Sequence, residues 1–125
     1  MEWKPVAASE MLPPGAVLGV RVGDVELVVW RTASGEVAAM DARCPHQWTH
    51  LGDAGVVDGD ELVCTAHCWR FDRDGRGSKV NVRGRRDPKA DVEVHPSRER
   101  GGMIEVRVVP PPVKDPPRGT DGVAG

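Results

Sequence analysis

The feature that most constrains this chain is a pair of short, mixed Cys/His clusters. Cys44-Pro45-His46 opens the stretch and Cys64-Thr65-Ala66-His67 closes it, with seventeen residues between His46 and Cys64. As a pattern this is C-x-H-x17-C-x2-H. Two soft thiolates and two imidazoles in paired short spacings describe a metal site. Each arm offers one Cys and one His, so each arm can give one ligand to each of two metals. A fold that uses them must bring two loops together and hold them rigidly near the surface.

The flanking sequence supplies a suitable frame. Residues 3–7 read as a first edge strand, and Ala8-Ser9-Glu10-Met11-Leu12 as a short turn stopped by Pro13-Pro14-Gly15. Residues 16–22 are strand-like, Gly23-Asp24 is a tight turn, and residues 25–31 are rich in Val and Leu with Trp30 near the end. Ser34-Gly35 turns the chain into a further strand over 36–40. Between the two arms, Gly55-Val56-Val57 and Glu61-Leu62-Val63 flank Asp58-Gly59-Asp60, which is a hairpin. Asp72-Arg73-Asp74-Gly75 is another turn. Residues 92–94 and 103–108 read as closing strands joined through Gly101-Gly102. Short antiparallel strands at regular spacing predict an all-β fold, a small sandwich or barrel carrying the cluster-binding part on two loops. No internal repeat and no long amphipathic helix is visible.

After His67 the chain reads Cys68-Trp69-Arg70-Phe71-Asp72 and then Asp74-Gly75. With the four-ligand pattern, this resembles the Rieske iron–sulfur family, whose ferredoxins and oxygenase domains read H-G-W-x-F-D-x-x-G here. The likeness runs over about residues 42–75. It implies a [2Fe–2S] cluster, with Cys44 and Cys64 on one iron and His46 and His67 on the other. It also implies that Trp48 and Trp69 shield the cluster, and that electrons leave through the exposed His46 or His67. High-potential members of the family place a disulfide beside the cluster and a serine two residues after the second His. Here those positions hold Thr49, Ala66 and Trp69. The resemblance therefore implies the lower end of the Rieske range of roughly −150 to +300 mV.

Other readings of the same residues stand beside this one. Zinc takes Cys₂His₂ sets, but zinc fingers pair Cys with Cys and His with His and follow them with a helix. Cys68 departs from the family's Gly. It is expected as a small buried substitute in a tolerated conformation, or alternatively as a thiol that senses oxidation or misligates iron. His50 is expected as an ordinary loop histidine, His95 as a surface residue, and Trp3 and Trp30 as core. Arg76, Lys79, Arg83, Arg85, Arg86 and Lys89 crowd a segment poor in apolar residues. That segment reads as a solvated loop folded back over the cluster, with Pro88 serving the family's proline, or as a docking face for an acidic redox partner.

A chain of 125 residues is one domain with a modest core. The expected division is a cluster-carrying domain over 1–109, with its binding part at about 42–91, and a disordered Pro- and Gly-rich tail over 110–125. Net charge is −2 with the signs interspersed, so neither nucleic acid nor membrane is an expected partner. There is no spanning-length apolar run and no signal-peptide start, and a cytoplasmic location is the expectation. Two cysteines claimed by a cluster leave an odd third, which is no disulfide framework. With no nucleophile–base pair and no phosphate loop, the expected role is a non-catalytic electron carrier between a reductase and a terminal oxygenase or similar partner. An accessory or redox-sensing subunit of a larger oxidoreductase is the alternative.

Overall fold

A computed structural model describes residues 3–43, 50–66 and 68–108. Cys44, His46, Trp48, Thr49, His67 and the tail over 110–125 lie outside these, and with them the expectations placed on them. The described chain is mostly β, in three antiparallel sheets. The first holds β1 (Lys4–Ala8), β12 (Met103–Val106) and β11 (Ser97–Arg100), in that order, so the opening strand does lie at an edge. The second holds β2 (Val17–Val22), β3 (Val25–Arg31), β4 (Val37–Asp41) and β10 (Val94–His95), ordered β10-β4-β3-β2. The third is a meander in chain order: β5 (Gly55–Asp58), β6 (Glu61–Cys64), β7 (Trp69–Phe71), β8 (Gly77–Val80) and β9 (Arg86–Lys89). One 3-10 turn (Ser9–Met11) and one single-turn helix, α1 (Leu51–Ala54), complete the described elements.

The four-stranded sheet is buried on both faces, which explains the unbroken apolar run Leu27-Val28-Val29-Trp30 in β3. Alternate side chains leave opposite faces of a strand. Leu27 and Val29 enter a core with Leu12, Ala39, Ile104 and Val106, under the three-stranded sheet. Val28 and Trp30 enter a second core with Met40, Leu51, Leu62, Cys64, Trp69 and Phe71, under the meander. Large faces small across the pair, Trp30 opposite Ala38. At the end of the meander away from Cys64, its first turn is tied to the β3–β4 turn: Ala33 N donates to Gly59 O (2.8 Å) and Ser34 Oγ to Asp60 Oδ1 (2.9 Å).

Two stretches depart from the sequence reading. The strand joined to β12 through Gly101-Gly102 is Ser97–Arg100, not 92–94, and Val94–His95 pairs with β4 instead. Pro96 separates the two. β11 has no apolar residue to signal it; ion pairs dress it, Arg98–Glu105 at 2.6 Å and Arg31–Glu99 at 2.8 Å. The basic segment is not a loop but the hairpin β8–β9, in which Pro88 sits opposite Ser78. Trp3 is likewise not core. It is half-buried, with the Arg98 guanidinium 4.2 Å and that of Arg107 5.3 Å from its ring centre, a cation–π arrangement. Trp30 is core, as expected.

Arg31 ties several of these parts together. It donates to Leu12 O (2.5 Å), to Gly35 O (2.9 Å) and to both oxygens of Glu99 (2.9 and 2.8 Å). This bidentate contact lowers the Glu99 carboxyl from 4.5 to about 2. Its contribution to stability is therefore complete above pH 4.5 and is lost as the pH falls toward about 2. Glu99 is 38 % exposed, so solvent screening holds that contribution to about 1 kcal/mol. Urea unfolding across this pH window is expected to show a slope that Glu99→Gln removes. An unchanged slope in the variant would assign it to other carboxylates.

Candidate functional site

The first arm is closed at its base. Arg43 and His50 form an antiparallel bridge, and Leu51 N donates to Ala42 O at 2.6 Å. His50 then caps α1, its Nδ1 accepting from Gly52 N at 2.9 Å. The ring lies against two glycines: a Cβ at Gly52 would stand 2.8 Å from it and one at Gly19 3.3 Å. His50 is thus a structural loop residue, with its Nδ1 committed to the backbone. Arg43 reaches Glu26 Oε1 at 3.0 Å and, by that hydrogen bond above all, lowers the Glu26 carboxyl.

α1 carries the chain directly from the first arm to the second. Gly55, which follows it, pairs with Cys64. A Cβ at Gly55 would meet Leu51 O at 2.3 Å, so the close passage of β5 under the helix requires glycine. Thr65 donates twice to Ala54 O, from its N at 2.8 Å and its Oγ1 at 2.7 Å. Cys68 N donates to Cys64 O at 2.7 Å, closing a turn over the intervening residues, and β7 then pairs Trp69 with Cys64. The two arms therefore leave one end of one frame side by side, as expected of loops on a β scaffold.

Cys64 is the one candidate ligand among the described residues. It is fully buried at the end of β6, in the same core as Leu51, Leu62 and Trp69. No three His, Cys, Asp or Glu side chains converge among the described residues, and Cys44, His46 and His67 lie outside them. What is described fits a [2Fe–2S] cluster: a buried soft donor at the mouth of two tied loops, with Trp69 and aliphatic side chains keeping water from it.

Two residues behave differently from expectation. His95 is buried, not on the surface. Pairing of β10 with β4 turns it inward, where Nε2 lies 2.8 Å from Asp41 Oδ1. Cys68 has φ +61°, alone among the described non-glycine residues in being left-handed, but it is exposed rather than buried. The turn needs the geometry of a glycine and receives a cysteine. A side chain in the left-handed region costs about 1–2 kcal/mol that glycine avoids, offset by roughly 0.5–1 kcal/mol of extra freedom for glycine in the unfolded chain. Cys68→Gly is thus expected to stabilise the protein by about 0.5–1 kcal/mol in denaturant titration. A destabilised variant would mean that the thiol makes a contact worth more than the strain.

Comparison with known proteins agrees with this geometry. The family model for the Rieske [2Fe-2S] domain matches residues 2–96. The chain is 35% identical over 106 residues to a 4beta-methylsterol monooxygenase of Methylococcus capsulatus, covering 82% of this chain and 28% of that protein. In general it spans about a quarter of the length of the curated relatives it matches. Among solved structures, dicamba monooxygenase bound to dicamba superposes with a TM-score of 0.76 at 30% identity, over 92% of this chain and 34% of that one. A chain from the complex of reduced oxygenase and oxidized ferredoxin in carbazole 1,9a-dioxygenase gives 0.69 at 25% identity, over 83% of this chain and 91% of that one.

Proposed function

Because this chain belongs to the Rieske [2Fe–2S] domain family and its cofactor is that cluster, we propose that it is a low-potential one-electron carrier. In this reading it passes electrons from a reductase to a terminal oxygenase or similar redox partner. Cys44 and Cys64 hold one iron and His46 and His67 the other. The observation that carries the reading is the placement of Cys64, buried where two loop arms are tied to each other by Thr65–Ala54 and Gly55–Cys64 pairing. Such a cluster, when bound, takes up and releases one electron. The chain's own residues fix its seat, exclude water through Trp69 and Leu51, and offer no hydroxyl at position 69 and no thiol at position 66. The cluster-carrying unit spans residues 1–109, with 110–125 as an appended tail.

The experiment is an anaerobic preparation with iron and sulfide counted, followed by a redox titration read by electron paramagnetic resonance. Equal iron and sulfide, the low average g of mixed Cys/His ligation and a midpoint close to about −150 mV are expected. A midpoint above about 0 mV would overturn the low-potential reading, and zinc without sulfide would overturn the carrier.

A second reading is favoured by coverage. The chain matches only about a quarter of oxygenase-length relatives, as would a module relaying electrons inside a larger oxidoreductase. Stoichiometric transfer to a separately added oxygenase component distinguishes a free carrier from such a built-in relay. No helix of the described residues is long and apolar enough to cross a membrane.

A further inference from the structure

The hairpin β8–β9 is built in a way that the cluster frame does not require. Its turn is held by Asn81: the side-chain Oδ1 accepts from Arg83 N (2.9 Å) and Arg85 N (3.0 Å), and Asn81 N donates to Arg85 O (2.7 Å). Gly84, at φ +78°, closes it by donating to Asn81 O at 2.9 Å. This rigid tip holds Val82 entirely in water, at 103 % exposure, with Val80 beside it at 43 %. Around them Lys79, Arg83 and Arg85 are exposed and form no ion pair among the described residues. Arg86 differs, because it is paired with Glu61.

The strand register fixes where this tip stands. Cys64 pairs with Trp69, and Arg70 pairs with Ser78, so Lys79 and Val80 run on beside Trp69 and Cys68. The tip thus projects from the same end of the meander as the turn between Cys64 and Cys68, two strands or about 10 Å to the side. A body approaching that end meets it. Strand addition along the outer edge is disfavoured, since Pro88 in β9 has no N–H to give.

We propose that the β8–β9 tip is a docking arm for an acidic protein surface, with Val82 as the apolar contact and Lys79, Arg83 and Arg85 as the steering charges. It rests on the carrier reading only in supposing that what docks there is a redox protein. Two unpaired arginines and a lysine around an exposed valine, in a chain of net charge −2, concentrate positive potential at one end. A single valine is a small apolar anchor, which suits a short-lived encounter.

The test uses an acidic plant-type [2Fe–2S] ferredoxin as probe. Reduced by dithionite, it gives one electron to the oxidised holo-protein, and stopped-flow mixing reads the second-order rate. Arg83→Glu with Arg85→Glu is expected to slow transfer about tenfold or more at low ionic strength, with the deficit closing at high salt. Val82→Ser is expected to slow it roughly threefold at every salt concentration. Arg76→Glu with Arg100→Glu, equal in charge change but away from the tip, is expected to match the parent. Equal low-salt rates in the tip variant and the parent, or equal losses in the two double variants, would overturn the proposal. So would tip-dependent sedimentation with phosphatidylserine vesicles without any effect on the rates, which would assign the tip to a membrane surface. Iron content and absorption are read on each sample. Protein without a cluster would refute the carrier, and a binding titration against the same ferredoxin would still decide the docking arm.

Discussion

Replacing Cys64 by serine is expected to abolish the brown colour and to leave less than about a tenth of the iron. A serine hydroxyl stays protonated at neutral pH and is a hard donor, while the proposed iron calls for a thiolate. The side chain is fully buried, so no outside group can take its place. Ligand-binding free energy is also folding free energy, so the unfolding midpoint should fall as well. The loss should be local. The core of Leu27, Val29, Ile104 and Val106 does not include Cys64, and β-type circular dichroism should survive. Cys68→Ser is the control: that thiol is exposed, and the variant should retain iron and colour. Full iron in the Cys64 variant would remove it from the ligand set.

Gly75→Ala is expected to cost about 3 kcal/mol or more in urea denaturation. Gly75 has φ +81°, and a Cβ there would lie 2.2 Å from Val92 O and 3.3 Å from Val94 Cγ1. The first neighbour is backbone and cannot swing aside. Gly75 O also accepts from Val92 N and Gly75 N donates to Asp72 O, both at 2.9 Å. Relieving the contact therefore breaks the tie between the turn after β7 and the chain entering β10. Gly84→Ala makes the contrast. Its φ is +78° but nothing lies within 4 Å of the added carbon, so only the left-handed cost of about 1–2 kcal/mol remains. Similar losses in the two variants would show that conformation, not crowding, governs Gly75.

The sequence was most informative where pattern and geometry share one cause. Gly23, Gly35, Gly59 and Gly75 mark turns because the backbone there has positive φ, and β3 to β6 fall where alternation or Val/Leu richness places them. The β5–β6 hairpin and the convergence of the two arms followed from the same signals. Three elements were hidden, among them β7 (Trp69–Phe71), too short to show an alternation of its own. Ser97–Arg100 is polar throughout because an edge strand can be held by backbone pairing and ion pairs alone. The hairpin β8–β9 has the composition of a loop because few of its side chains are buried, and its signal lies in Asn81 and Gly84 rather than in periodicity. His95 was misplaced for a related reason. Its place before Pro96 near the closing strands reads as surface, but pairing with β4 across more than fifty residues of chain, which no local window contains, draws it inward. Cys68 departs from the tolerated, buried substitute expected of it in both respects, being left-handed and exposed.

The ties at the base of the arms have a consequence for speed. An electron moves between two sites fastest when the nuclei around each need not rearrange as the charge changes. Here Arg43 is bridged to His50, Thr65 donates two hydrogen bonds to Ala54 O, and Cys68 N donates one to Cys64 O. The first arm is thus closed at its base beside β4 and α1, and the second between β6 and β7 of the meander. Arm ends tied in this way would rearrange little when a bound cluster gains one unit of charge, and would add little to the reorganisation energy of transfer.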